Sequence, residues 1–201
     1  MNKRKIAILL NIIIIIFEII ALIISHKTGG LYNIIYYTQE SNILALISSI
    51  IILIYLIKNK KFSRILSIFR FISIVSMSVT FLVVIFVLAP MYEFNYYWLL
   101  FVGASLYMHL LCPLIGFISF VFFEKHKLNN KKDVLRGIYF TFIYAVIAIV
   151  LNVLKVIEGP YPFLYVYKNS LIMSIFYFVL ILGSSYLISL GLLKIKNKYG
   201  N

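Results

Sequence analysis

The sequence has few residues of the kinds that build disulfide-linked, metal-binding or nucleotide-binding proteins. It contains one cysteine, Cys112, among 201 residues, which excludes an internal disulfide and any cysteine-based metal cluster. His26 and His126 flank the apolar segments at opposite ends, away from His109, so the histidines do not form a metal site. It has no glycine-rich phosphate loop and no G-x-S-x-G motif. The sequence therefore predicts neither a bound metal nor a cofactor.

Apolar side chains are present in large excess. They make up 63% of the sequence, against 12% charged residues, and the mean hydropathy is +1.03. No soluble domain of this size could cover so much apolar surface. We therefore predict an all-α polytopic membrane protein with one domain over residues 1–201. Segments long enough for spanning helices of about 20 residues lie near 6–25, 33–57, 66–89, 97–123, 134–156 and 170–193.

The basic residues are distributed unevenly between the connections. Sixteen of the 19 Lys and Arg residues lie at the two termini and in the second and fourth connections, where Arg70 is included. The positive-inside rule then places both termini in the cytoplasm and predicts a multi-pass protein of the plasma membrane. The net charge of +13 follows from this topology and from attraction to anionic membrane lipids. It does not indicate nucleic acid, and the sequence identifies no protein partner.

The second apolar segment opens with five consecutive polar residues, Thr38 to Asn42 (Thr-Gln-Glu-Ser-Asn). A spanning helix carries such residues only where they face protein or water. We expect the face that begins at Thr38 to lie opposite His109 across the bundle. Helical spacing gives that face Thr38, Ser41, Asn42, Ala45 and Ser49.

The fourth segment carries a stripe of small and polar residues around His109. Pro113 cannot donate to the carbonyl of His109, four residues earlier, so we expect the helix to bend there. A bend beside a titratable ring is typical of a pocket, although a single His in a membrane helix can also serve only as an interhelical hydrogen bond. The stripe consists of Ser105, His109, Cys112, Pro113 and Gly116.

Two further polar residues lie inside apolar segments. Glu18, in the first segment, has no cation at its depth in the other segments, so it is either protonated or hydrogen-bonded. Asn152, in the fifth, is bulky and polar. After it, Pro160 and Pro162 exclude a regular helix around Tyr161. That aromatic connection is either a headgroup-level belt or a lid over a pocket.

Three short stretches in this order resemble the androgen-induced protein/ADTRP family of six-span membrane proteins and its bacterial relatives. They are Tyr37-Thr38 with Ser41-Asn42, His109 followed by Pro113, and Tyr161-Pro162-Phe163-Leu164. Members of that family are intramembrane threonine hydrolases that split fatty acid esters of hydroxy fatty acids. The resemblance implies that Thr38 is a nucleophile, that His109 is its base, and that the substrate is a lipophilic ester.

The chemistry that the resemblance implies is coherent. A threonine hydroxyl needs a neighbouring base, and histidine serves at neutral pH. Gln39, Asn42 or Asn152 could stabilise an oxyanion, and Glu18 could orient the imidazole. Pocket-lining positions would be Ser41, Ser105, Cys112, Pro113 and Tyr161.

Two other functions are compatible with the same residues. The polar faces could line a cavity that binds or transports a small lipophilic ligand without chemistry. Alternatively, they could hold the helices of a structural or partner subunit together, and Glu18 would then form a hydrogen bond between helices.

The charge distribution generates a direct test of topology. Cysteines introduced as Lys60→Cys and Lys131→Cys should resist a membrane-impermeant thiol reagent in intact cells, because both positions are predicted to be cytoplasmic. Glu93→Cys, on the opposite side, should react. Strong labelling at position 131 would contradict the orientation.

Overall fold

The computed structural model describes residues 2–128 and 131–200. Within these ranges it contains helices and no strand. Six of the helices are long and apolar enough to cross a membrane, which confirms the all-α, six-span prediction. They are α1 (Lys3–Ile35), α2 (Tyr37–Ile57), α3 (Arg64–Met91), α4 (Leu106–Phe123), α5 (Lys131–Val153) and α6 (Leu171–Tyr199).

Helix α3 lies at the centre of the bundle and contacts α2, α4, α5 and α6. Its most apolar stretch is 56% buried, whereas that of α6 is 6% buried. Small side chains on α3 let its neighbours approach closely. Ser73, Ser76 and Thr80 recur at helical spacing and are all buried. The central position of α3 therefore follows from its small-residue face, and α6 lies at the periphery.

Helix α1 has one buried face with a regular three- and four-residue spacing. Glu18 and Asn11 both lie on it and are fully buried. This spacing is that of an amphipathic helix, although the exposed face here is apolar because it faces lipid. The members of this face are Ala7, Asn11, Ile14, Glu18, Ala21 and Ser25.

The fourth predicted span, 97–123, is broken in the structure. A short helix, Tyr96–Phe101, precedes it, and Gly103 then turns the chain with φ of 59°, a left-handed conformation that suits glycine. Helix α4 begins only at Leu106, with a π-helical turn over Leu106–Leu111. The N–H of Cys112 reaches the carbonyl of Tyr107, so the predicted irregularity before Pro113 takes the form of a change in hydrogen-bond register.

The polar residues near the start of the sixth span, Ser170, Ser174 and Tyr177, are not buried. Ser170 instead caps α6, and its hydroxyl accepts from the Met173 N–H at 3.3 Å. The buried polar residues of α6 lie in its second half, where the helix meets its neighbours: Ser185, Ser189 and Lys196.

A network of buried charges joins the helices near the face that carries both termini. Arg70, which we assigned to the second connection, lies inside α3 and is fully buried. Its Nε and Nη2 donate to Glu124 at 3.2 and 2.9 Å. Nη1 donates to Ser48 and Ser49 at 3.0 and 2.8 Å, and Nη2 also donates to Asn11 at 3.0 Å. The guanidinium therefore has a partner for each of its N–H directions.

Glu124 and Lys196 extend this network to α6. Burial alone would raise the pKa of the Glu124 carboxyl, but Arg70 and His126 beside it hold that pKa well below its usual range. Lys196 Nζ donates to the carbonyls of Phe120 and Val121 at 2.8 and 3.1 Å and to that of Glu124. Five of the six spanning helices thus meet at one end of the bundle through buried polar contacts.

Removing the carboxylate should destabilise the fold strongly. We expect Glu124→Ala to lower the free energy of unfolding by about 3–5 kcal/mol, because it leaves the Arg70 guanidinium buried without its counter-charge. Thermal unfolding of the purified protein in detergent measures the effect.

The matched control is Glu158→Ala. Glu158 pairs with Lys168 at 3.5 Å, and the two side chains are 79% and 64% exposed, so its removal should change stability by less than about 0.5 kcal/mol. Equal unfolding temperatures for Glu124→Ala and Glu158→Ala would contradict this role.

The stabilisation by Glu124 should also depend on pH. Its pKa is depressed in the folded state, so the carboxylate stabilises the fold above the ordinary carboxyl pKa, and this stabilisation is lost as the pH falls towards the folded value.

Candidate functional site

Thr38 lies in the first turn of α2, where it meets the connection between α5 and α6. Its backbone N–H donates to the Tyr161 hydroxyl at 3.2 Å, and its Oγ1 lies 3.3 Å from the same oxygen. Tyr161 is buried, stacked on Phe163 with ring centroids 5.1 Å apart and edge-on to Tyr36 at 5.6 Å. The aromatic connection predicted as a belt or lid therefore packs directly on Thr38.

The protonation of Tyr161 sets the direction of these hydrogen bonds. Burial raises the pKa of Tyr161 to about 12, so it is a neutral phenol at physiological pH. Its oxygen accepts from the Thr38 N–H, and its own proton is available to Thr38 Oγ1. The hydroxyl proton of Thr38 is then left for a different acceptor.

A cavity of about 50 Å³ lies beside Thr38. One water molecule needs about 10–15 Å³ of such volume, so the cavity has room for a few water molecules or a small apolar group. Thr38, Thr80 and Thr141 line it together with four tyrosines, of which Tyr161 is one, and the other lining residues are apolar. The apolar part includes Val79, Val83, Leu88, Phe163, Leu164 and Ile181.

His109 lies in the π-helical turn of α4 and is partly buried. Its Nδ1 is 2.6 Å from the carbonyl oxygen of Leu99, in the short helix Tyr96–Phe101. Because a carbonyl only accepts, Nδ1 carries the hydrogen, and Nε2 of the neutral ring keeps its lone pair. The Thr38 hydroxyl pairs with Tyr161 and the His109 ring pairs with Leu99, so these two side chains are not hydrogen-bonded to each other.

Asn42 connects the two segments that carry these residues. Its Nδ2 donates to the carbonyl of Thr38 at 2.7 Å and to that of Met108 at 3.4 Å. Met108 directly precedes His109. Of the predicted polar face of α2, Asn42 thus reaches the residue before His109, whereas Ser41 and Ser49 contact Thr80 and Arg70 of α3. The Oδ1 atom of Asn42 is buried and has no hydrogen-bond partner.

Glu18 is fully buried, and neither of its carboxyl oxygens has a hydrogen-bond partner. The Cys112 thiol faces it across the α1–α4 contact. No hydrogen bond joins Glu18 to His109, whose Nδ1 donates to the Leu99 carbonyl. The structure thus places Glu18 beside Cys112 rather than in a relay to the imidazole.

Most of the other predicted residues hold backbone in place. Gln39 Oε1 accepts from Ser25 at 3.0 Å, and Ser41 Oγ donates to the Thr38 carbonyl at 3.0 Å. Asn152 donates to the Ile157 carbonyl and accepts from the Val166 N–H, both at 3.2 Å, and so fixes the connection around Tyr161. Ser105 lies in the turn before α4, and Pro113 lines a separate groove.

Sequence reasoning missed two residues of the cavity wall, Thr80 and Thr141. Thr80 was identified only as a packing residue, yet its Oγ1 lies 2.9 Å from Ser41 Oγ. Thr141 Oγ1 lies 2.8 Å from the Tyr37 hydroxyl. Both threonines share a helical face with small residues, and that spacing is the signal that could have placed them opposite α2.

No group of three or more His, Cys, Asp and Glu residues that could hold a metal ion occurs in residues 2–128 and 131–200. No protein-family model, curated protein or solved structure matches the chain.

The unpartnered carboxyl group generates a stability prediction. Glu18→Met should raise the free energy of unfolding by about 1–3 kcal/mol, because it removes a buried polar group without partners and keeps a similar volume. Thermal unfolding in detergent is the measurement, with Ile19→Met, on the lipid-facing side, as the control. A loss of stability in Glu18→Met would mean that the carboxyl group has a partner that the fold requires.

Proposed function

We propose that the protein hydrolyses lipophilic acyl esters within the membrane, with Thr38 as nucleophile and His109 as general base. The observation that carries the proposal is the Asn42 amide, which donates both to the Thr38 carbonyl and to Met108, the residue before His109. The nucleophile and base are thus on adjoining turns of two packed helices. His109 also has the required tautomer, since Leu99 holds its Nδ1.

The proposed reaction follows from these partners. His109 Nε2 takes the hydroxyl proton as Thr38 Oγ1 attacks the ester carbonyl, and the same proton then goes to the departing alcohol. Tyr161, as a neutral phenol at the attacking oxygen, donates to the oxyanion. Water, activated in turn by His109, then splits the threonyl ester, releasing the fatty acid and restoring Thr38.

The surroundings of Thr38 suit an apolar substrate. The cavity wall is mainly apolar, and it is formed partly by α6, whose apolar stretch is only 6% buried. A cavity of about 50 Å³ cannot enclose a long acyl chain. The ester carbonyl would therefore lie at Thr38 while the chain extends past α6 into lipid.

A second candidate function is the binding of a small lipophilic ligand without chemistry. The observation in its favour is that His109 is not part of the cavity wall. Under this function the hydroxyls of Thr38 and Tyr161 would orient the ligand and no acyl-enzyme would form.

Substitution of the pair separates these candidates. Thr38→Ala and His109→Ala should each reduce hydrolysis of a long-chain acyl ester by at least about 10²-fold, since a positioned base alone contributes that much. Thr38→Ser should retain part of the activity because the hydroxyl remains. The double variant should be little worse than either single one, because the pair acts as a unit.

The controls are Thr28→Ala and His26→Ala, which change the same residue types at exposed positions. Both should keep full activity and thermal stability. A fluorophosphonate probe should add its mass to the wild type and to Thr28→Ala, but not to Thr38→Ala. Absence of hydrolysis and of labelling in the wild type, with retained ligand binding, would assign the cavity to the second candidate.

A further inference from the structure

A second cavity, of about 860 Å³, opens at the face that carries both termini. Its size lies within the range of about 300–1,000 Å³ that ligand sites commonly have. Six basic residues line it and no Asp or Glu does. They come from the start of α1, the connection after α2 and the connection after α4: Lys3, Arg4, Lys60, Lys61, Lys125 and Lys127.

The backbone that carries these cations is fixed by hydrogen bonds. Arg4 donates to the carbonyls of Leu56 and Ile57 at 2.8 and 3.0 Å, which joins the start of α1 to the end of α2. The Lys60 N–H donates to the Tyr55 carbonyl at 2.9 Å. The Lys127 N–H donates to Ser67 Oγ at 3.1 Å. The positive charges therefore converge on one cavity from three anchored segments.

His126 is the remaining titratable residue that lines the cavity. Its ring is sandwiched between Phe62 and Phe120, with centroids 4.9 and 4.8 Å away, and its side chain is 0% exposed. Nε2 donates to Glu124 Oε2 at 2.7 Å, whereas Nδ1 is buried without a partner. Burial lowers the pKa of His126, although Glu124 acts in the opposite direction. An anion in the cavity would favour the imidazolium form, whose Nδ1 can donate.

The carboxylate that is hydrogen-bonded to His126 does not oppose an anion. Glu124 accepts hydrogen bonds from Arg70, Asn11 and Ser119 as well as from His126. Its negative charge is thus neutralised behind the cavity wall by the buried Arg70. The field within the cavity comes from the lysines and Arg4.

We propose that this cavity binds the phosphate of an anionic phospholipid headgroup. Phosphate oxygens match the donors of lysine and arginine. The lipid source is favoured because the same wall contains Leu56, Phe62 and Phe123, and because Ile57 and Ile65, next to it in the chain, are 60% and 81% exposed. Acyl chains could lie along these apolar side chains while the headgroup occupies the cavity. This site is separate from Thr38.

The test compares binding of phosphatidylglycerol, phosphatidylcholine and inorganic phosphate to the purified full-length protein in detergent. Lipids bound in native mass spectra and the unfolding temperature are the two readouts. The wild type should bind phosphatidylglycerol at least about tenfold more tightly than phosphatidylcholine, because the cations of the cavity attract a headgroup with a net negative charge. Phosphatidylglycerol should also raise the unfolding temperature more than inorganic phosphate does.

The variant removes three lysines from the cavity, Lys60→Gln, Lys61→Gln and Lys127→Gln. Its matched control removes three lysines from the same face outside the cavity, Lys5→Gln, Lys194→Gln and Lys198→Gln, so the net charge changes equally. The cavity variant should lose the tenfold preference and the control should keep it. Equal losses in both would reduce the effect to overall charge and overturn the site. Equal stabilisation by inorganic phosphate would overturn the assignment to a lipid.

Discussion

The ion pair between Arg70 and Glu124 is the interaction on which the rest of the bundle depends. Both side chains are fully removed from solvent, and taking two such charges out of water costs several kcal/mol for each ion. That cost is offset only because the guanidinium is hydrogen-bonded in every direction and the carboxylate is shared between Arg70, His126, Asn11 and Ser119. These contacts come from α1, α2, α3 and α4, so moving one of these helices would separate a buried charge from a hydrogen-bond partner.

The two ends of the bundle are therefore stabilised by different kinds of interaction. One end is held by charges and contains the basic cavity, whose cations need the buried carboxylate to be neutralised behind them. At the other end neutral hydroxyls, aromatic rings and amides surround Thr38. Buried polar atoms without a hydrogen-bond partner occur at both ends: Nδ1 of His126 at the charged end, and Oδ1 of Asn42 beside Thr38.

The sequence contained enough information for the number and class of the helices, because long apolar segments have few alternatives in a chain of this composition. It also indicated that the polar residues at the start of α2 face the interior, since a spanning helix carries such residues only where they face protein or water; Gln39, Ser41 and Asn42 are buried. Arg70 was assigned to a connection because charge alone does not show depth. The pairing of Glu124 with Arg70 joins residues 54 positions apart, and no local pattern reports it. The proximity of Thr38 to Tyr161 joins residues 123 positions apart and was expected only through the family resemblance, which assigns both residues to one pocket.

Helix α6 differs from the other five in how it is attached. Its second half is held through Lys196, whose ammonium group caps the carbonyls of Phe120 and Val121, whereas its apolar stretch is largely in contact with lipid. Because α6 is fixed near one end, a small rotation at that end produces a larger displacement at the other end. A displacement of the half of α6 that contributes Tyr177, Phe178 and Ile181 to the wall of the Thr38 cavity would change that wall without moving a partner of the Arg70–Glu124 pair.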